Sequence, residues 1–453
     1  MLAGGVAGTC WHAASDRSGR AEQSAIRIKE IQRSDSHNKA GLSRRSILQG
    51  TALLPMAPAI AGSAVAAVPA KPGSLARPGD FAPMGKVYLN SGTMHPVPLP
   101  AKASIETYLQ ARAEGRSWSS HDVEVRIKGA FARLINAAPE DLAFVQSTTA
   151  GEQLVVEALD LPAAGGSIVT DTLHFFGSFW LYQQLGEQGM DVRWIRPENG
   201  RIDPEAYEKA IGPDTRLVSI SLVSTYNGFE HDLARICEIA HAHGALVYAD
   251  IIHAAGTVPI DVKASGVDFA STASYKWLMG DFGLGFLYVR PDRLPQLKRP
   301  RYGYYQLARF RSHVYPYDTP GDGVADMAPR DDAEGMFAMG THSHTVMAQL
   351  DWSLARLLEL GVENIMAHRL PMLRRLHEAL PAKGYSVATP QDCRSPLLTC
   401  VMPDAYKRLS ETLEQAGVAI TLSRNRFRVC PSWFNSMDDI EHLIDALPTQ
   451  KPE

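Results

Sequence analysis

Arg216-Leu217-Val218-Ser219-Ile220-Ser221-Leu222 and Ala245-Leu246-Val247-Tyr248-Ala249, separated by a helical pattern from Asp232 to His243 that stops at Gly244, decide the fold. Two short apolar runs with one amphipathic helix between them make a β-α-β unit, which forces neighbouring strands to run parallel. The alternation extends in both directions. Leu142 to Val145, Gly166 to Thr170, Val267 to Ala270 and Gly285 to Val289 read as further strands, with helices over Ala150–Leu159 and Pro204–Ile211. This is an α/β chain with a mostly parallel sheet wound on both faces, and such sheets bind ligands at the carboxyl ends of their strands. Gly303 to Ala333, rich in Tyr, Asp, Arg, Pro and Gly, reads as a long functional loop. Beyond it come a helical stretch from Thr345 to Leu360 that continues after Gly361 to Leu380, strands at Leu397–Val401 and Phe427–Cys430, and a helix from Asp404 to Ala416. A last helix is capped by Ser436 with Asp439 three residues on. The expected organisation is an N-terminal extension (1–70), a large domain (71–335) and a smaller α+β domain (336–453).

The 453 residues carry 45 Lys+Arg against 49 Asp+Glu, a formal charge of −4, with 45% apolar and 21% charged residues. That composition excludes a disordered or fibrous chain, and no unpunctuated apolar stretch of membrane-spanning length occurs. Without a basic face, nucleic acid is excluded as a partner. Five cysteines show no CxxC spacing, and the histidine pairs His241/His243 and His342/His344 are spaced i, i+2, so no metal site is expected. Ser43-Arg44-Arg45-Ser46-Ile47-Leu48, followed by a mild apolar run to Val68 and small residues at Ala64-Val65-Ala66, reads as a twin-arginine export signal. A periplasmic protein without a stable membrane anchor is the expectation.

Four strand ends carry a matching set of side chains. Asp250 ends one strand and His253 follows it. Lys276 sits in Ala273-Ser274-Tyr275-Lys276-Trp277, and Ser147-Thr148-Thr149-Ala150-Gly151 joins a strand to a helix start. Each alone is commonplace: a capping aspartate, a surface lysine, a capping turn. Together they supply what pyridoxal phosphate needs, namely an amine for a Schiff base, a carboxylate for the pyridine nitrogen, and free N–H groups at a helix N-terminus for the phosphate.

With Tyr88-Leu89-Asn90-Ser91-Gly92, Gly340-Thr341 and Phe427-Arg428-Val429-Cys430-Pro431-Ser432-Trp433-Phe434-Asn435, these segments resemble the class V aminotransferase family of fold-type I pyridoxal phosphate enzymes. That group includes isopenicillin N epimerase, kynureninase and cysteine desulfurases. The resemblance runs from about Val87 to the C-terminus and implies a seven-stranded sheet. It implies Lys276 as the Schiff-base lysine, Asp250 as the pyridinium partner and His253 as a contact to the cofactor's phenolic oxygen. It further implies phosphate contacts from Thr148, Thr149 and Tyr275, and His174 stacked on the ring, with Phe175 and Phe176 as competitors. Arg428 is implied to hold the substrate α-carboxylate, with Asn90 nearby. Thr341 is implied to reach the phosphate of a neighbouring subunit, hence a homodimer.

Two departures stand out: Thr225 where relatives often carry Asn, and Gly280-Asp281 for the family's Gly-Pro. No cysteine lies between Lys407 and Arg428, where desulfurases carry their nucleophile, and Cys393 and Cys400 read as packing residues. The substrate is expected to be an amino acid or an amino-acid-containing peptide, and the resemblance is greatest to isopenicillin N epimerase-like proteins. Alternatives are kynureninase or C–S lyase-type cleavage, and periplasmic tailoring of the glutamate side chain of a pyoverdine-type siderophore, as exported relatives of the family perform. The Tyr- and Arg-rich segment from Arg301 to Tyr317 suits either a large chelating peptide or a dimer contact. A non-catalytic periplasmic scaffold is the rival class, against which stand both Lys276 and Asp250.

Overall fold

A computed structural model describes residues 75–450; the twin-arginine segment lies outside the described residues. After a two-residue strand β1 (Val87–Tyr88), the main sheet is built from β2 (Leu142–Val145), β3 (Ser167–Asp171), β4 (Asp191–Ile195), β5 (Thr215–Ser221), β6 (Leu246–Asp250), β7 (Phe269–Ala273) and β8 (Gly285–Val289). They lie in the order β2-β8-β7-β6-β5-β3-β4. Neighbours from β7 through β4 pair in parallel, and β8 is antiparallel to both β2 and β7. The central strands are legible as apolar runs because helices cover both faces and bury every residue but Arg216 and Leu246 near the starts of β5 and β6. The edge strand β4, with Asp191 and Arg193 half in solvent, carries no such run.

Register matters more than strand count here. Ser221 pairs with Asp250 and Asp250 with Ser271, so the carboxyl ends of β5, β6 and β7 are level. The helix Thr148–Ala158 is capped by Ser147, whose hydroxyl accepts from the Ala150 N–H at 3.1 Å. It packs against β7 so closely that a Cβ on Gly151 would sit 2.3 Å from Ser271 Oγ. Glycine is needed there to bring the helix start to the strand end.

The segment expected as an irregular loop contains a β-hairpin, β9 (Leu307–Ser312) with β10 (Ala325–Pro329), paired antiparallel with Met327 opposite Phe310. Its strands are mostly exposed, so neither presents an apolar face to a core, and alternation gave no signal. A second sheet has the order β11 (Ser386–Val387), β12 (Leu398–Val401), β15 (Arg426–Val429), β14 (Thr421–Leu422). The strand β13 (Val418–Ala419) pairs in parallel with β1. The early segment around Leu89 therefore packs with Phe427 and Val429 in the core of the C-terminal sheet, although it precedes the large sheet in the chain. Ser436 and Asp439 form the expected capping box.

Gly151→Ala is expected to destabilise the protein by about 1–3 kcal/mol, because the helix must back away from β7. Thermal unfolding checks it: an unchanged Tm refutes the close contact, and Ser271→Gly in the same chain should restore most of the loss.

Candidate active site

The level strand ends bring together the side chains that the sequence separates. Lys276 follows β7 and is 7% exposed; Asp250 ends β6 and is 4% exposed. His253 lies between, with Nε2 3.1 Å from Lys276 Nζ and Nδ1 accepting the Trp277 indole N–H at 3.3 Å. Burial, with Lys276 and Arg428 nearby, pushes the His253 pKa well below its usual range, so the ring is neutral. A neutral imidazole whose Nδ1 accepts must carry its proton on Nε2 and donate it. Lys276 Nζ is the atom it meets, and it is the free-amine form of the lysine that can accept this bond. Burial, reinforced by Arg428 and opposed by Asp250, lowers the Lys276 pKa from 10.5 to about 8.

Asp250 Oδ1 accepts the Ile252 N–H at 2.9 Å and Oδ2 the Ser221 hydroxyl at 3.3 Å. No side-chain cation lies within ion-pair distance among the described residues, and burial holds the carboxyl above its ordinary range. A buried carboxylate without a cation is costly. A protonated pyridine nitrogen is a group that would relieve it, which is the fit expected for pyridoxal phosphate.

The phosphate cradle needs one correction. Thr148 is turned inward: its Oγ1 accepts the Ala273 N–H at 2.9 Å and its carbonyl faces the Tyr248 and Ser271 hydroxyls. Its side chain ties the helix to β7 instead of facing a ligand. Thr149, half-buried in the first turn, has a hydroxyl without a partner among the described residues, and Tyr275, also half-buried, stacks on Phe282 with centroids 4.4 Å apart.

His174 needs a second. It is 0% exposed, with Nδ1 2.9 Å from Ser221 Oγ and 2.8 Å from the Phe175 N–H, and Nε2 3.1 Å from Glu152. A ring enclosed on all sides has no face to offer a cofactor. The structure places His174 behind Asp250, joined to it through Ser221, while the adjacent Phe175 is only half-buried. Glu152 completes the chain, accepting from Ser178 at 2.6 Å and Tyr182 at 2.7 Å. Burial would raise its carboxyl, but His174 and these donors hold it below the usual carboxylate range. Sequence reading missed Glu152, since a lone acid one turn into a helix looks like a solvated surface charge, and its partners His174, Ser178 and Tyr182 lie far along the chain.

Arg428, 9% exposed on β15, reaches across to the large sheet. Nη1 donates to the Thr225 carbonyl at 3.1 Å and hydroxyl at 2.7 Å, and Nη2 to Thr93 at 3.1 Å and Thr421 at 3.4 Å. Among the described residues Nε has no hydrogen-bond partner, which leaves it as the one guanidinium nitrogen free for a carboxylate; a bidentate pair would also need a threonine to give up Nη2. Asn90 joins the group through Oδ1, which accepts the Thr421 hydroxyl. Thr225, noted as a departure, is what fixes Arg428.

Thr341 does not join this cluster within the chain. It is exposed, shares a hydrogen bond of 2.9 Å with Tyr304 Oη, and lines a cavity of about 590 Å³ with Tyr108, Arg112, Trp118 and His344.

The family model "Aminotransferase class-V" matches residues 105–422. The chain is 27% identical to a probable cysteine desulfurase of Methanothermobacter thermautotrophicus over 64% of its own length and 71% of that protein. It is 30% identical to the isopenicillin N epimerase of Streptomyces clavuligerus over 47% and 55%. Among solved structures, apo cysteine desulfurase from Thermococcus onnurineus NA1 superposes with a TM-score of 0.68 at 20% identity, covering 80% of this chain and 93% of that one, a likeness of fold. With the family matched over most of its length, and a lysine, carboxylate and helix start arranged for the cofactor, the chain belongs to the class V aminotransferase family of pyridoxal phosphate-dependent enzymes.

Proposed function

We propose that the enzyme moves the Cα proton of an amino-acid substrate, in an isopenicillin N epimerase-like reaction. The observation that carries this reading is the buried Lys276 Nζ set 3.1 Å from His253 Nε2, a contact that suits its free-amine form, with a pKa lowered to about 8. Pyridoxal phosphate, when bound, conjugates the substrate's amino group with an electron-withdrawing ring and so acidifies the Cα–H. The chain's own residues do the rest. Asp250 would answer the ring nitrogen, with Ser221, His174 and Glu152 fixing its position from behind. Thr149 and the first amides of its helix would hold the phosphate, and Phe175 would be the residue available to the ring face. Arg428 would hold the α-carboxylate through Nε, with Nη2 joining once a threonine gives way, and so would turn the Cα–H toward Lys276. Lys276, with a pKa of about 8, takes up and returns the proton near neutral pH.

A desulfurase reaction is not supported. Burial pushes the Cys393 thiol up to about 11 and Cys400 to about 12, and raises Cys237 and Cys430 as well. None of these thiols is a thiolate nucleophile at neutral pH.

Proton transfer is read directly by NMR, as loss of the substrate's Cα–H signal in D2O. Wild type should exchange it and Lys276→Ala should not, while keeping its fold. Cleavage at Cβ without exchange at Cα would overturn the proposal. Chiral analysis of the recovered amino acid then separates inversion from amino transfer.

The Lys276 pKa gives a pH dependence. The amine is protonated below about 8 and free above it, and only the free form would be nucleophilic toward an aldehyde such as the cofactor's. Cofactor uptake by apo-protein, followed by visible absorbance, should therefore speed up with pH and level off above about 8. A rate still climbing toward 10.5 would mean an unperturbed lysine.

We also propose that Thr341 serves the phosphate of a second copy, since it stands apart from Thr149 and Lys276 in its own chain. Mixing Thr341→Ala with Lys276→Ala should give heterodimers in which one site has both residues, with part of the activity restored. A fully active monomer in light scattering would contradict this.

A further inference from the structure

Side chains on β15 alternate. Phe427 and Val429 enter the core of the C-terminal sheet, so Arg426, Arg428 and, just beyond the strand, Cys430 share the opposite face. Their neighbours order them along the site. Cys430 packs with Trp277, the residue after the lysine; Arg428 comes next, fixed by Thr225; Arg426 is outermost and half-exposed, its guanidinium 4.7 Å from the ring centroid of Tyr226.

The two arginines are thus anchored on consecutive residues. Tyr226 is itself fixed by stacking on Phe179, with centroids 6.2 Å apart and planes at 14°. Two residues along a strand span about 6.6–6.8 Å, so the charges keep a set spacing. No carboxylate pairs with Arg426 among the described residues. A carboxylate partner would have occupied its fork, whereas an aromatic ring holds the cation without consuming an N–H donor. Two like charges held side by side, one buried and one at the mouth, repel each other unless a ligand with two negative groups spans them.

We propose that Arg426 determines specificity by reading a second carboxylate, so that the substrate is an amino acid bearing two carboxylates, the α-carboxylate on Arg428 and the distal one on Arg426. This rests on the reading of Arg428 under Proposed function. It follows that Tyr226 is a positioning residue, acting through Arg426.

The test is a binding series on the cofactor-loaded enzyme, measured by calorimetry with succinate, glutarate and adipate against butyrate and valerate. Wild type should bind its best dicarboxylate about tenfold or more tightly than the monocarboxylates, as expected for a second charged contact. Arg426→Gln should remove that preference while leaving monocarboxylate affinity within about twofold; Arg428→Gln should weaken both classes. Tyr226→Phe should behave as wild type, and Tyr226→Leu should lose most of the preference. In turnover, Arg426→Gln should raise KM for glutamate with little change in kcat, and leave glutamine unaffected. Equal affinity for the two classes in wild type, binding of neither, or an equal loss of both in Arg426→Gln overturns the proposal. A chain that takes up no pyridoxal phosphate would instead refute the functional reading, and the same dicarboxylate series run on the cofactor-free chain would then decide the role of Arg426.

Discussion

A carboxylate buried in a sheet interior is among the least stable things a fold can contain, costing several kcal/mol when no cation answers it. Asp250 is such a group, and much of the site is arranged around it. It stands at the end of β6 because the parallel register sets Ser221 on one side and Ser271 on the other. Ser221 and the Ile252 amide supply its hydrogen bonds, and His174 with Glu152 stiffens the ground behind. None of these neutralises it. Burial raises its pKa, opposed chiefly by His174, and in the proposed reading a protonated pyridine nitrogen would supply the missing cation.

The amine opposite is governed by the same low dielectric with the opposite sign. Burial discourages charge on Lys276, and the Arg428 guanidinium discourages it further. The Trp277 indole then settles the tautomer of His253 and aims its remaining N–H at the lysine. Burial and Arg428 thus convert a strong base into a usable one, while Trp277 and His253 orient it. The order matters: removing the indole N–H would free His253 to adopt the other tautomer and offer Lys276 a lone pair instead of a proton.

The two sheets meet at Arg428. Its side chain leaves the C-terminal sheet, lands on Thr225 of the large one, and is ringed by Thr93 and Thr421. Threonine hydroxyls can orient a guanidinium without cancelling its charge, which acidic partners would do. The same economy is seen at Arg426 over Tyr226. The exposed hairpin β9–β10 grows from the segment that carries Tyr304, and Tyr304 is bonded to Thr341, so hairpin and Gly340-Thr341 segment are mechanically connected.

A carboxylate role for Arg428 came only from the family resemblance; the sequence alone determined the large sheet and the order of its central strands in the chain, and it set Asp250 and Lys276 at strand ends. These are properties of local pattern: apolar runs of strand length, a helix stop, and reactive residues immediately after strand ends. It did not determine which way a side chain turns at those ends. Thr148 and Thr149 are adjacent and chemically alike, yet one bonds β7 and the other remains free, because the closeness of the helix at Gly151 fixes its rotation. His174 was legible as a residue of the site but not as one enclosed behind Asp250, since Glu152 and Ser221 come from other strands and helices. The hairpin was invisible because its strands pair only with each other and bury no face. Chain neighbours and period are written in the sequence; distance between segments that fold together from far apart is decided only by tertiary packing.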